Sequence, residues 1–111
     1  MDERRAFPRV AVDLEVVTNY VGDDVNLEGR TANVSWTGLH VFMPEPPAGA
    51  HQDMLVRDDV AAALLWVQVL LFRFEPKSAV YSWWVKVLTA DDEWPVLMRR
   101  AGVPADVRPL P

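Results

Sequence analysis

A chain of 111 residues, half of them hydrophobic and 24% charged, has the balance of one globular domain that can bury a core without covalent staples. It has no cysteine, which excludes disulfides and thiolate metal sites, and its two histidines, His40 and His51, are too far apart in sequence to suggest a metal cluster. The net charge of −5 argues against sequence-independent binding of DNA or RNA. The N-terminus is charged from Asp2 to Arg5 with no apolar run behind it, so no signal peptide is expected. The most apolar stretch, residues 60–72, contains Gln68 and is well short of the ~20 residues that cross a bilayer. These features predict a cytoplasmic protein without membrane insertion.

In chain order, residues 9–21 read as a first strand, because Val10, Val12, Leu14 and Val16 alternate with Ala11, Asp13, Glu15 and Val17. Gly22-Asp23-Asp24 supplies a turn. Residues 27–34 form a second strand, with Gly29 as the expected bulge, and residues 35–38 break it. Leu39, Val41 and Met43 lie on one face of a third strand. The run 44–49, with three prolines and Gly49, is a loop. A short strand is predicted over 54–57. Asp58-Asp59 opens either a turn or a helical turn through the alanines at 61–63. The β-branched and aromatic content of 65–75 favours a strand, Glu75-Pro76-Lys77-Ser78 a hairpin connection, and residues 80–88 a returning strand.

The period then changes. Trp94, Leu97, Met98 and Ala101 follow helical spacing, with Asp91 or Asp92 as cap, Pro95 in the first turn, Arg99 and Arg100 at the negative end of the dipole, and Gly102 as terminator. Short strands joined by tight turns and followed by one helix predict a small antiparallel barrel or sandwich. Of the five tryptophans, Trp94 is assigned to helix packing and most of the others to the core. Trp36 and one of Trp83 and Trp84 are the candidates for exposure. His40, on a strand, is assigned a structural role. No nucleophile–base–orienter set is present, which argues against an enzyme.

Two short patterns carry chemistry. Arg5-Ala-Phe-Pro-Arg9, preceded by Arg4, stands immediately before the first strand; Asn33-Val-Ser35-Trp-Thr-Gly38 stands at the break between the second and third. Three of the 11 basic residues fall in positions 4–9, while acidic residues are spread along the rest. A local positive site on a negative protein suits a small anion. Arginine presents a planar fork of donors that matches guanine O6 and N7 or phosphate oxygens, and its flat face stacks on a base. Ser35 adds a hydroxyl, Asn33 one acceptor and one donor group, and Gly38 lets the backbone turn tightly and approach a ligand.

This pairing resembles the PilZ family of cyclic di-GMP receptors, whose pattern is RxxxR followed further along the chain by (D/N)xSxxG. The resemblance implies an all-β fold in the main, a six-stranded antiparallel PilZ-like β-barrel with a C-terminal α-helix. It divides the chain into a flexible arginine-rich ligand-binding segment (1–9), the barrel with its helix (10–102) and a proline-rich tail (103–111). It further implies cyclic di-GMP held by Arg4, Arg5, Arg9, Asn33, Ser35 and Gly38, with Trp36 as an additional candidate. In PilZ-like proteins the residue before RxxxR influences stoichiometry, and an arginine there, as Arg4 is, goes with an intercalated ligand dimer. Trp36 and Thr37 depart from the small residues usual at their positions, and Trp84 stands near a place often held by glycine. No cofactor is expected besides this ligand. The implied role is a receptor that relays ligand level to a partner protein; the alternative is a PilZ-like interaction adaptor that has lost nucleotide binding.

Overall fold

The computed structural model describes residues 9–19 and 26–104. Arg4, Arg5, the expected turn at 22–24 and the tail beyond Pro104 lie outside the described residues. Among the described residues six strands, β1 (Glu15–Asn19), β2 (Asn26–Val34), β3 (Gly38–Met43), β4 (His51–Asp58), β5 (Ala63–Pro76) and β6 (Tyr81–Ala90), precede one short helix, α1 (Trp94–Arg100). They close into an antiparallel barrel in the order β1-β2-β3-β6-β5-β4, with β1 pairing back onto β4. Closure removes the sheet edges that a small open sheet would expose.

Alternation determines which side chains enter the barrel. Val16, Leu27, Leu39, Val41, Met43, Met54, Val56, Leu65, Val67, Val69, Trp83 and Val85 line its interior and are buried. Trp94, Leu97 and Met98 of α1 join the same core, together with Val103 just beyond the helix. Each such side chain contributes about 1.5–3 kcal/mol on burial. Trp83, fully buried, also satisfies its indole N–H by donating to the Glu45 carbonyl at 3.1 Å.

Gly29 does not mark the bulge expected of it. It pairs with Val16 in regular register, and a Cβ there would lie 2.2 Å from both Met43 Sδ and the Phe42 carbonyl oxygen. Glycine is needed because β3 and its methionine occupy the space. The bulge in β2 falls at Ala32, where pairing jumps from Thr31↔Val41 to Asn33↔His40. A second interruption lies between Leu71 and Arg73 of β5, with Phe72 the extra residue, and a third between Gln68 and Val69, where Leu88 of β6 is extra.

The expected first strand is shorter than its alternating pattern. Residues 9–14 run alongside β2 with one isolated bridge, Val10 to Val34, and regular pairing starts only at Glu15. Thr31 explains the delay. Its hydroxyl donates to the Val12 carbonyl at 2.6 Å and accepts from the Leu14 N–H at 2.8 Å, substituting for ladder bonds. The Asp58 region resolves as a turn over residues 59–62 and not as a helix. The Asp58 carboxylate accepts from the Val60 and Ala61 N–H groups at 3.1 and 3.3 Å, and Ala62 takes a left-handed φ of 54°.

Helix α1 is organised by Asp91, whose carboxylate accepts the Glu93 N–H at 2.9 Å; Glu93, at the N-cap position, makes no side-chain capping bond. Its end is a Schellman motif. Gly102 sits at φ 93° with its N–H on the Arg99 carbonyl at 3.1 Å, and the Val103 N–H reaches Met98 O at 2.9 Å. Arg100 ion-pairs with the buried Asp58, linking the helix to the end of β4.

Two outcomes are expected. Gly29→Ala forces backbone displacement at Phe42 and should lower unfolding free energy by about 2 kcal/mol or more in urea titrations. Burial pushes the Asp58 carboxyl up, but the Arg100 guanidinium and the Ala61 and Val60 N–H groups outweigh it, leaving its pKa below the ordinary 3.8. Its contribution is therefore fully present above about pH 4 and lost as pH falls through the lower folded value. Asp58→Asn should cost about 1–2 kcal/mol at pH 6, and that deficit should shrink towards pH 3.

Candidate functional site

Arg9, the last residue of the first motif, meets the second motif on the outer surface of the barrel. Val10 exchanges both backbone hydrogen bonds with Val34, at 2.8 and 2.9 Å, and this bridge brings Arg9 beside the end of β2. Arg9 Nη1 donates to Asn33 Oδ1 at 2.8 Å. Asn33 faces outward because the Ala32 bulge shifts the phase of β2: Thr31 and Val34 are both buried, whereas strict alternation would bury 31 and 33.

The turn after β2 is held internally. The Ser35 N–H donates to the Gly38 carbonyl at 2.8 Å and its hydroxyl to the same oxygen at 3.3 Å. The Thr37 carbonyl accepts from the Val87 N–H at 2.8 Å, fixing the turn to β6. Ser35 is buried, so its hydroxyl serves the corner first and retains its lone pairs for a donor. Gly38 has no left-handed backbone; its role is space. A Cβ there would stand 3.3 Å from Arg9 Nη2, 3.4 Å from the Val85 carbonyl and 3.6 Å from Ser35 Oγ. The guanidinium thus lies over Gly38, and Arg9, Asn33, Ser35 and Gly38 form one contiguous patch. Arg4 and Arg5 lie outside the described residues.

Trp36 goes elsewhere. Its indole N–H donates to the Pro104 carbonyl at 2.7 Å, its ring packs on the core, and its own carbonyl accepts the Trp94 indole N–H at 3.4 Å. It ties the motif loop to the helix end. Of the tryptophan pair, Trp84 is the partly exposed one. Trp66, assigned with most of the tryptophans to the core, is instead 38% exposed on the outer face of β5.

Several residues near the patch carry no motif signal. Lys86 pairs with Gly38 across β3 and β6 and is exposed. His40 pairs with Asn33 on one side and Trp84 on the other, stacks on the Trp84 ring and shares a 3.1 Å hydrogen bond with the Ser82 hydroxyl. Burial, then the positive charges of Arg9, Lys77 and Arg73, hold its imidazole below the ordinary pKa of 6.5. Only the barrel register could have revealed these neighbours. Among the described residues no cluster of three or more His, Cys, Asp or Glu side chains is placed to hold a metal, and no helix is long and apolar enough to cross a membrane.

The closed six-stranded antiparallel barrel with one short C-terminal helix is a PilZ-like fold. Among solved structures, it is similar to the Bacillus subtilis inhibitor of motility MotI/DgrA, with a TM-score of 0.70 and 15% identity over 90% of this chain and 50% of that one. The chain thus spans about half the length of that protein, and the likeness concerns the fold. No protein-family model and no curated protein matches the sequence.

Because His40 has a lowered pKa in the folded state, the unfolded chain binds more protons between that value and 6.5. Stability should therefore rise with pH through this window. His40→Gln should flatten the rise between pH 5 and 7 in urea midpoints; an unchanged slope would assign the dependence to other groups.

Proposed function

We propose that the chain is a cyclic di-GMP receptor that relays ligand level to a partner protein. The observation carrying this reading is the Arg9–Asn33 hydrogen bond, which joins the two halves of the motif pair into one outer-surface patch over Gly38. In this patch the guanidinium supplies donors for phosphate or the guanine edge. The Asn33 amide supplies its NH2 as well as the lone pair that Arg9 leaves, and Gly38 leaves the room in which the guanidinium lies. Arg5 completes the clamp, and Arg4 adds positive charge that suits an intercalated pair of ligands. Lys86, opposite Gly38, extends the anion-binding surface.

Relay requires a ligand that discriminates between arrangements of the arginine-rich segment. A ligand that binds one arrangement of this segment more tightly shifts the population toward it and alters the surface offered to a partner. The barrel's likeness to a motility inhibitor supports an adaptor role of this kind in cytoplasmic signalling.

Calorimetric titration with cyclic di-GMP tests the reading. Saturable binding at micromolar ligand is expected, with Arg9→Ala weakening it on the order of 10- to 100-fold, the loss typical of one charge-assisted contact, while the melting temperature changes little. A stoichiometry of two that Arg4→Ala reduces to one supports the ligand pair. No saturable heat would sink the receptor reading and leave the adaptor without nucleotide.

A further inference from the structure

The patch does not end at Asn33. Register places Asn33 opposite His40, His40 opposite Trp84, and Trp84 opposite Arg73, so four side chains stand in one row across β2, β3, β6 and β5. With strands ~4.8 Å apart the row is about 14 Å long, and Arg9 prolongs it beyond Asn33. A bulge sets each end. Ala32 turns Asn33 outward, and Phe72 turns Arg73 outward, since without that extra residue Arg73 would share the inward face of Leu71.

The middle of the row is a stack of flat groups. The His40 and Trp84 rings lie 4.4 Å apart and within 14° of parallel, and the Arg73 guanidinium carbon is 4.3 Å from the Trp84 ring centroid. Arg73 also ion-pairs with Glu75 and is 56% exposed. Cations at both ends and aromatic rings between them match the chemistry of a purine nucleotide, which presents phosphate oxygens and a π face together.

We propose that His40, Trp84 and Arg73 form the aromatic half of the site and stack a purine ring of the nucleotide whose other groups Arg9 and Asn33 hold. This rests on the cyclic dinucleotide reading above and extends it to residues outside both motifs. Arg73 is the exposed member of the row. Its exposed cation–π contact is weaker than base–aromatic stacking, so a purine can replace it on Trp84, and the displaced guanidinium can exchange the Glu75 carboxylate for phosphate.

The test uses the full chain with cyclic di-GMP as probe, followed by calorimetry and tryptophan fluorescence. Trp84→Leu should weaken binding about 10-fold or more, the loss of one stacked base. Trp84→Phe should keep most of the affinity but lose the fluorescence change, whereas Trp66→Leu, on the outer face opposite Leu55, should keep both. Far-UV circular dichroism checks that each variant is folded. Wild-type affinity in Trp84→Leu, or a fluorescence change that survives in Trp84→Phe, would overturn this proposal and leave the receptor reading standing. A wild-type chain that fails to bind the probe overturns both.

Discussion

Asn33 can reach Arg9 only because β2 carries one residue more than β3 can pair with. In a strand of strict period two, a residue that shares parity with Leu27 and Thr31 belongs to the core. The extra residue at Ala32 breaks that parity, sending Asn33 to the surface while Val34 still enters the barrel. The Val10–Val34 bridge, the Arg9 contact over Gly38 and the outward row toward Trp84 all depend on this one phase shift. Restoring the regular register would turn the amide inward, to a place where it would need a buried partner.

The rest of the site is held by elements that have little freedom of their own. The turn between β2 and β3 is closed by Ser35 on the Gly38 carbonyl and fastened to β6 through Thr37 and Val87. Trp36 and Trp94 then connect the same turn to α1, and Arg100 connects α1 to Asp58 at the far end of β4. The motif residues thus sit on a corner braced from three directions, which suits a site that must present its donors before a ligand arrives. Ser35 shows the cost of such bracing: its hydroxyl is already engaged in the corner it stabilises.

Much of this was legible in the chain, and the parts that were not have a common cause. Alternation in β3, the β-branched and aromatic content of β6, the loop at 44–49, the hairpin at Pro76, and the Gly102 helix end all follow from local chemistry, and each appears where that chemistry places it. Asn33, Ser35 and Gly38 were legible because their spacing forms a motif. The bulges were not, since Ala32 and Phe72 have no property that marks an unpaired residue, and Gly29, which does, is required by the approach of Met43 and Phe42. The start of β1 was misplaced for a related reason: Val12 and Leu14 pack on the core without joining the ladder, because Thr31 takes their backbone groups. Trp66 misled because aromatic content signals a strand but not which face it occupies. His40, Trp84 and Arg73 lie far apart in sequence and become neighbours only through the strand order β3-β6-β5.

Charge gives the patch its character. A chain with net charge −5 repels long polyanions at a distance, where its total charge dominates. At contact the local field matters more, because screening limits each charge to a Debye length of about 8 Å. Arg9, Lys86 and Arg73 supply positive charge on one side of the barrel, while His40 at the centre is held below its ordinary pKa by burial and by the charges of Arg9, Lys77 and Arg73. An additional charge there would strengthen attraction for phosphate but would also replace a flat neutral ring by a hydrated cation. The arrangement keeps the aromatic middle apolar and leaves the charge to the ends, which is what the proposed separation of base from phosphate recognition along a single row of side chains requires.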